Sequence, residues 1–289
     1  MVEFLVPLSS AVFVSGRNVL IRTLRNKVGR TTTLFTNFLV AGVFSVVILA
    51  FALPAEVEPT FYWAVPLSIA ALIAGRFSLI TALSSATLSS TIPLIAFAPL
   101  FTSLTSFLIL GETITPIGLY GILAVVAGSY LLRIQGVGSG VFEPIRILAR
   151  EKGARMMLLA ALCFSLSIPF VKLAIRSSST YVAFASAQLL GTALIAGWLL
   201  ARRRLGTALK QAARYGGRLT LVGVANFLQA ITTYLAVDLM LVAYASGIKG
   251  SNILITALLG HLLFGEKRLV RTLVVGTIMV AGVVLISLG

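Results

Sequence analysis

Two segments of the chain share a pattern that decides the fold. "LILGETITPIGLYGILAVVAG", residues 108–128, places a Gly-Glu pair and a Thr-Pro turn between two apolar stretches, and "LLFGEKRLVRTLVVGTIMVAG", residues 262–282, repeats the Gly-Glu pair between two others. Aligning the two pairs brings together six further identical positions: Leu108, Leu119, Val126, Ala127, Gly128 and Leu131 with Leu262, Leu273, Val280, Ala281, Gly282 and Leu285. The pair therefore recurs because one unit of the chain was duplicated.

The composition indicates a protein that crosses a membrane many times. Hydrophobic residues make up 58% of the 289 residues and charged residues only 11%, which exceeds what a soluble core of this size requires. A spanning helix needs roughly 20 mostly apolar residues, because about 30 Å of hydrocarbon is crossed at 1.5 Å per residue. Such stretches fill nearly the whole chain, and the first of them lacks the flanks of a cleaved signal peptide.

Polar, glycine, proline and charged residues divide the chain into ten predicted spans. They cover residues 4–22, 32–53, 61–82, 86–110, 114–132, 155–175, 180–200, 218–237, 240–264 and 269–288. We therefore predict an all-α polytopic membrane protein with a first five-helix repeat at 1–132, a linker at 133–154 and a second five-helix repeat at 155–289. Because each repeat has an odd number of spans, the second enters the membrane upside down, which gives an inverted repeat.

The motifs resemble those of a known transporter family. "LILGETITPIGLYGILAVVAGSYLL", its partner "LLFGEKRLVRTLVVGTIMVAGVVLI" and "VSGRNVLIR" in the first span are similar to sequences of the drug/metabolite transporter superfamily, specifically its EamA-type members with ten helices. The resemblance implies that spans one to four and six to nine enclose a central cavity, while spans five and ten pack outside it. From position alone, we expect Glu112 and Glu266 to have a structural role, each at the N-terminus of the last helix of its half.

The charges predict an orientation. The net charge of +15 lies in short loops, not on one soluble face, so we expect no nucleic-acid partner. If the ten spans hold, one membrane face carries 18 basic residues and the other carries only Lys172 and Arg176. Positive loops stay cytoplasmic, so we predict a cell (inner) membrane protein with both termini outside, opposite to the orientation usual in the resembled family.

Metal, redox and catalytic sites find little support in the sequence. Cys163 and His261 are the only residues of their types, which leaves no Cys/His zinc set and no internal disulfide. No nucleophile–base pair and no phosphate-binding glycine loop occurs. We therefore predict no catalytic residue, no metal and no cofactor.

Three cations lie within the predicted spans: Arg17, Arg76 and Lys249. A charge in hydrocarbon is costly unless it faces protein or water, so such residues indicate a transport pathway. Arg76 is roughly half a helix from either end, too far to reach the interface easily. The alternatives are that Arg17 reaches the interface and that Arg76 or Lys249 is a structural cation satisfied by helix-end carbonyls.

Amides complete the predicted substrate site. Asn18 neighbours Arg17, Gln229 falls opposite Gly75 in the repeat alignment, and Asn252 projects from the same side of its helix as Lys249. The predicted substrate-binding residues are thus Arg17, Asn18, Arg76, Gln229, Lys249 and Asn252. Amides in spans more often bond neighbouring helices, an alternative that applies to Asn18, Asn37, Gln188, Asn226 and Gln229.

Helix breakers weaken the fourth and ninth spans. Pro93 and Pro99 flank Ile95, which the alignment places opposite Lys249, and Gly247 and Gly250 flank Lys249 itself. We predict that these four residues act as hinges, since transporters often bind substrate at interrupted helices.

Together these features predict a secondary transporter, an exporter or exchanger, that moves a small polar metabolite by alternating access. Three cations without a matching carboxylate favour an amino acid, organic acid or phosphorylated compound. The alternatives are a flippase-like carrier of a phosphate-bearing lipid and a membrane scaffold without flux. The predicted partners are the substrate and the lipid bilayer, with the chain a monomer or a homodimer.

Overall fold

A computed structural model of the protein describes residues 2–24, 28–52, 56–85, 92–133, 151–264 and 269–288. In these residues it contains helices and no strands. The α-helices, numbered here in chain order, are α1 Val2–Thr23, α2 Arg30–Ala52, α3 Phe61–Ser85, α4 Ala98–Leu110, α5 Pro116–Arg133, α6 Lys152–Arg176, α7 Thr180–Ala201, α8 Leu205–Arg214, α9 Gly216–Leu239, α10 Val242–Gly250, α11 Asn252–Phe264 and α12 Leu269–Leu288. A 3-10 helix, Ile92–Phe97, leads directly into α4.

The helices have the length and composition of membrane spans. Seven apolar stretches within the described residues are long enough to cross a bilayer, the seventh of them running through α10 and α11. Three shorter apolar helices, Leu94–Leu110, Pro116–Leu131 and Leu273–Leu288, lie at the predicted fourth, fifth and tenth spans. Helices suit this setting because they satisfy every backbone polar group within the segment. The count of ten crossings stays a prediction.

Eight spans form a closed ring through their mutual packing. Around the ring, α2 contacts α9, α9 contacts α1, α1 contacts α10 and α11, α10 contacts α4, α4 contacts α6, α6 contacts α3, α3 contacts α7, and α7 returns to α2. Exchanging the two halves leaves this order unchanged, as expected for two repeats related by a twofold axis. Helices α5 and α12 pack on each other outside the ring.

The outer pair packs closely because glycines face each other. A Cβ at Gly121 would lie 2.6 Å from the carbonyl oxygen of Gly282, and a Cβ at Gly282 would lie 2.7 Å from that of Gly121. Small residues let two membrane helices approach at backbone distance. The glycine face "GILAVVAG" at 121–128 thus packs against α12 of the same chain. Oligomeric state stays a prediction.

The fourth and ninth spans are both interrupted. Pro93 lies in the 3-10 helix, and Pro99 lies in the first turn of α4, where a missing N–H leaves no broken helix bond. In the ninth span, α10 ends at Gly250 and α11 begins at Asn252. The breakers predicted from sequence therefore lie next to real interruptions, while their action as hinges stays a prediction.

The sequence missed helix α8, which lies in a stretch interpreted as a loop between spans seven and eight. Its apolar side packs inward, with Ala208 buried, while Lys210 and Arg214 are exposed. Gln211 Oε1 accepts hydrogen bonds from Gly29 N at 3.2 Å and Thr32 Oγ1 at 2.8 Å, which join α8 to the start of α2. Helix α8 has too few apolar residues to span a membrane. Its only signal in the sequence is therefore the helical spacing of those residues.

One predicted boundary differs in the structure, and two predicted features lie outside the described residues. Helix α6 begins at Lys152, three residues before the predicted start of the second repeat. Glu266 and the linker residues 134–150 lie outside the described residues.

Candidate functional site

A cavity of about 360 Å³ lies inside the ring. All eight ring spans contribute to its lining, and no described side chain of α5 or α12 does. Its lining includes residues from the middle of α3, α6 and α9 and from the interruptions of the fourth and ninth spans. The arrangement matches what the resemblance implied about an enclosed centre and two outer spans.

The three intramembrane cations line this one cavity. Arg17 enters from α1, Arg76 from α3 and Lys249 from α10, and no Asp or Glu is among the described residues of the lining. Because α1 and α3 lie on opposite sides of the ring, the guanidinium groups approach from different walls. The cavity therefore carries three positive charges, and its described lining has no negative charge to balance them.

Arg17 is held by the neighbouring helix α9. Its Nη1 donates to Asn226 Oδ1 at 2.9 Å and to Gln229 Oε1 at 2.7 Å. The side chain is buried, and both of its acceptors line the cavity. The two amides accordingly connect helices, as their alternative interpretation held, and they also line the cavity.

Arg76 and Lys249 have no comparable partners. In the described part of the chain neither side chain makes a hydrogen bond or an ion pair, and Arg76 Nε is buried without an acceptor. Gly75 brings α3 against α6, since a Cβ there would lie 2.7 Å from the ring of Phe164. Lys249 lies in the last turn of α10, where the helix dipole favours a cation.

The remaining predicted residues divide into two groups. Asn252, Pro99 and Gly250 line the cavity next to the three cations. Asn18 and Gly247 do not belong to the lining; a Cβ at Gly247 would lie 2.8 Å from Ile286 of α12, which places this glycine at the outer helix. The backbone of Pro93 is in the 3-10 helix, and its side chain lies outside the description.

Two amides of the lining were interpreted only as helix contacts from sequence. Asn37 of α2 and Gln188 of α7 are buried, and neither Asn37 Oδ1 nor Gln188 Oε1 has a hydrogen-bond partner in the described structure. The expected interhelical bonds are therefore not formed. In the sequence, each of these amides is visible only as a polar residue within an apolar span. Whether it has a hydrogen-bond partner depends on how the two halves pack, which local sequence does not show.

A second polar cluster lies beyond the cavity. Glu112 Oε1 is 2.9 Å from Lys172 Nζ, and Glu112 Oε2 accepts from Val242 N at 2.9 Å. Lys172 also donates to Met240 O at 2.7 Å. The expectation that Glu112 serves the helix that follows it is wrong: α5 begins at Pro116, and the carboxylate caps α10 of the other half.

The comparisons with known proteins now decide the family. The family model described as EamA-like transporter family matches residues 2–134 and 151–288. The chain belongs to the EamA-like transporter family. The first matched segment contains α1 to α5, and the second contains α6 to α12. The protein is thus an integral membrane protein of a family of small-molecule transporters, and membership agrees with the wider drug/metabolite transporter superfamily.

A solved structure shows the same fold. One solved crystal structure, described as "Crystal structure of protein", superimposes on this chain with a TM-score of 0.74 at 17% sequence identity. The match covers 99% of this chain and 96% of the other. No curated protein matches the sequence. The description of that structure carries no substrate, so the site must be interpreted from its own residues. Within the described residues, no group of three or more His, Cys, Asp or Glu side chains could hold a metal ion.

Proposed function

We propose that the protein is a secondary transporter, an exporter or exchanger, that carries a small polar metabolite with an anionic group by alternating access at the central cavity. The observation that carries this proposal is the convergence of Arg17, Arg76 and Lys249 on one cavity. Amino acids, organic acids and phosphorylated compounds all supply the required carboxylate or phosphate.

Electrostatics supports an anionic substrate. Burying a cation without a counter-charge is costly, and a bound carboxylate or phosphate offsets that cost while forming charge-assisted hydrogen bonds. Arg76 and Lys249 have donors to spare, because no described residue bonds them. The substrate would thus act as the missing counter-ion.

The interrupted spans support a site at this cavity. Helix α4 begins at Ala98 and α11 begins at Asn252, and both residues line the cavity. Inverted-repeat transporters commonly form their sites at interrupted helices, and here one such helix comes from each repeat. Residues from both repeats would therefore contact the same substrate.

Exchange or facilitated export fits the lining better than coupling to protons. Proton-coupled import usually relies on a carboxylate that titrates within the pathway. The described lining has none. Alternating access also requires contacts between the two halves outside the site itself. Glu112 of the first half binds Lys172 and Val242 N of the second, and none of the three residues lines the cavity.

The test is thermal stabilisation of the detergent-solubilised protein by amino acids, organic acids, phosphorylated metabolites and phospholipid headgroups. Wild type is compared with Arg76→Ala, Lys249→Ala and the control Arg218→Ala, which removes an exposed cation outside the cavity. We expect an anion to stabilise wild type and the control but neither cavity variant. Equal stabilisation of all four proteins by neutral or cationic compounds would contradict the proposal. Stabilisation by phospholipid headgroups alone would favour a lipid carrier.

A further inference from the structure

Helix α8 lies between two spans without being one. Helix α7 ends at Ala201 and α9 begins at Gly216, and both have the length and composition of membrane spans. The ten residues of α8, Leu205–Arg214, extend for about 15 Å, which is about half of a crossing. The helix contacts α2, α7 and α9. It therefore lies at a membrane surface, beside the ends of three spans.

The protein covers only one side of α8. Ala208 is buried, and Ala212 packs against a buried cluster that includes Leu219 of α9. On the adjoining side of the helix, Leu209 is 48% exposed and Ala213 is exposed as well. Residues four apart share a face of a helix. Leu209 and Ala213 therefore form a short apolar strip that faces away from the protein.

Cations occupy the remaining side of α8 and both of its flanks. Lys210 and Arg214 are four residues apart, so they share one face of the helix. The basic residues of this segment are all exposed: Arg202, Arg203, Arg204, Lys210, Arg214 and Arg218. No acidic residue lies between positions 202 and 218, and none of the six cations forms an ion pair with a described residue. The segment thus presents six positive charges without local compensation.

One of these arginines occupies a position that favours glycine. Arg203 N donates to Leu200 O at 2.9 Å. Arg204 N donates to Leu199 O at 2.8 Å, and the two bonds form a Schellman cap at the end of α7. The cap requires a left-handed residue, and Arg203 has a φ of 54°. A side chain is strained there and glycine is not, so the stability of the fold does not explain this arginine.

We propose that the α8 surface, formed by Leu209, Ala213 and the six basic residues, binds the headgroups of anionic phospholipids. Basic side chains at a membrane surface attract anionic lipids, and an amphipathic helix turns its apolar side towards the acyl chains. Leu209 and Ala213 thus face the acyl region, while the lipid phosphates lie against the cations. A phospholipid fits this surface better than a soluble anion, because the apolar strip adjoins the charges. The inference is independent of what the cavity carries.

The experiment measures stabilisation of the protein by lipid. Phosphatidylglycerol or phosphatidylcholine is titrated in mixed micelles with the detergent-solubilised protein, and the melting temperature is followed. The variant Lys210→Gln/Arg214→Gln removes two cations of the α8 surface. Lys152→Gln/Arg155→Gln is the matched control, because it removes two exposed cations at the start of α6.

Wild type and the control should respond to phosphatidylglycerol at lower concentrations than to phosphatidylcholine. The Lys210→Gln/Arg214→Gln variant should need at least about tenfold more phosphatidylglycerol for half of the effect, because each cation near a lipid surface contributes roughly fivefold. Salt at roughly 1 M, where the screening length is about 3 Å, should remove the preference for phosphatidylglycerol.

The variant Arg203→Gly separates lost binding from lost folding. It should need about fivefold more phosphatidylglycerol, since one cation is removed. Without lipid it should melt no earlier than wild type, because glycine suits the left-handed position.

Four outcomes would overturn the inference. The first is equal stabilisation of wild type by the two lipids. The second is an unchanged response to phosphatidylglycerol in both α8 variants, or an equal loss in the control. The third is that inorganic phosphate replaces phosphatidylglycerol in wild type but not in the α8 variants, which would assign the surface to a soluble anion. The fourth is loss of the lipid response in Arg76→Ala and Lys249→Ala, which would place the lipid in the cavity.

Discussion

Lys172 Nζ lies 2.9 Å from Glu112 Oε1, and both side chains are almost wholly buried. The other carboxylate oxygen of Glu112 accepts a hydrogen bond from Val242 N at the start of α10. One carboxylate from the first half thereby binds two helices of the second half. Arg176 Nη2 lies farther away, at 3.8 Å, and remains half-exposed. The Gly-Glu pair at 111–112 thus joins the first half to the second instead of merely starting a helix.

Replacing Glu112 with Gln should lower the free energy of unfolding by about 3 kcal/mol, because it leaves Lys172 buried without a counter-charge. The glutamine can still accept from Val242 N, so the loss reports the ion pair. Unfolding by denaturing detergent measures it. Adding Lys172→Met to Glu112→Gln should recover more than half of the loss. Additive losses in the double variant would show that the two residues act independently.

Replacing Gly121 with Ala should destabilise the protein by about 2 kcal/mol, because the new Cβ would meet the backbone of Gly282 and push α5 from α12. The control is Gly197→Ala in α7, where a Cβ meets nothing within 4 Å. Alanine there should leave stability unchanged or raise it by up to about 1 kcal/mol. Equal effects of both changes on the unfolding midpoint would argue against close contact of the outer helices.

Replacing Gln229 with Leu should lower stability by about 2 kcal/mol, because Arg17 then loses one of its two hydrogen-bond acceptors. The variant Gln229→Glu keeps an acceptor and adds a negative charge beside Arg17. It should unfold near the wild-type midpoint yet bind anions more weakly, a combination checked by unfolding and thermal shift on the same samples. Wild-type anion affinity in Gln229→Glu would contradict a site that acts through its net positive charge.

Orientation can be tested with an impermeant maleimide in a Cys163→Ser background. Lys210→Cys lies on the strongly basic face and Glu56→Cys on the other, and both positions are exposed. If positive loops are cytoplasmic, Glu56→Cys should react in intact cells and Lys210→Cys only after lysis. The opposite pattern would place both termini inside, as is usual in the resembled family.

The sequence predicted the architecture well because the duplication and the apolar spacing are local signals. The family and the helical membrane fold are confirmed, and helices lie at every predicted span. Interruptions also lie next to Pro99 and Gly250, since proline and glycine act on their own backbone. The cavity brings Arg17, Arg76 and Lys249 together, although their role in binding stays a prediction.

What the sequence could not predict depends on contacts between the halves. The partner of Glu112 lies on α6, 60 residues later in the chain, and local position suggested the wrong helix. Asn37 and Gln188 are indistinguishable in sequence from Asn226 and Gln229, yet only the latter two bond Arg17. Whether an amide bonds a neighbouring helix is decided by which residues the packing of the ring brings within its reach.

Counterflow in proteoliposomes tests the central claim most directly. Vesicles containing the protein and loaded with an anion that stabilises it take up the same radiolabelled compound from outside, compared with Arg76→Gln, Lys249→Gln and Arg218→Gln. The account predicts saturable exchange for wild type and Arg218→Gln, and a loss of at least about tenfold in both cavity variants, the consequence of removing one charged contact. Exchange that is unaffected by Arg76→Gln and Lys249→Gln would contradict it.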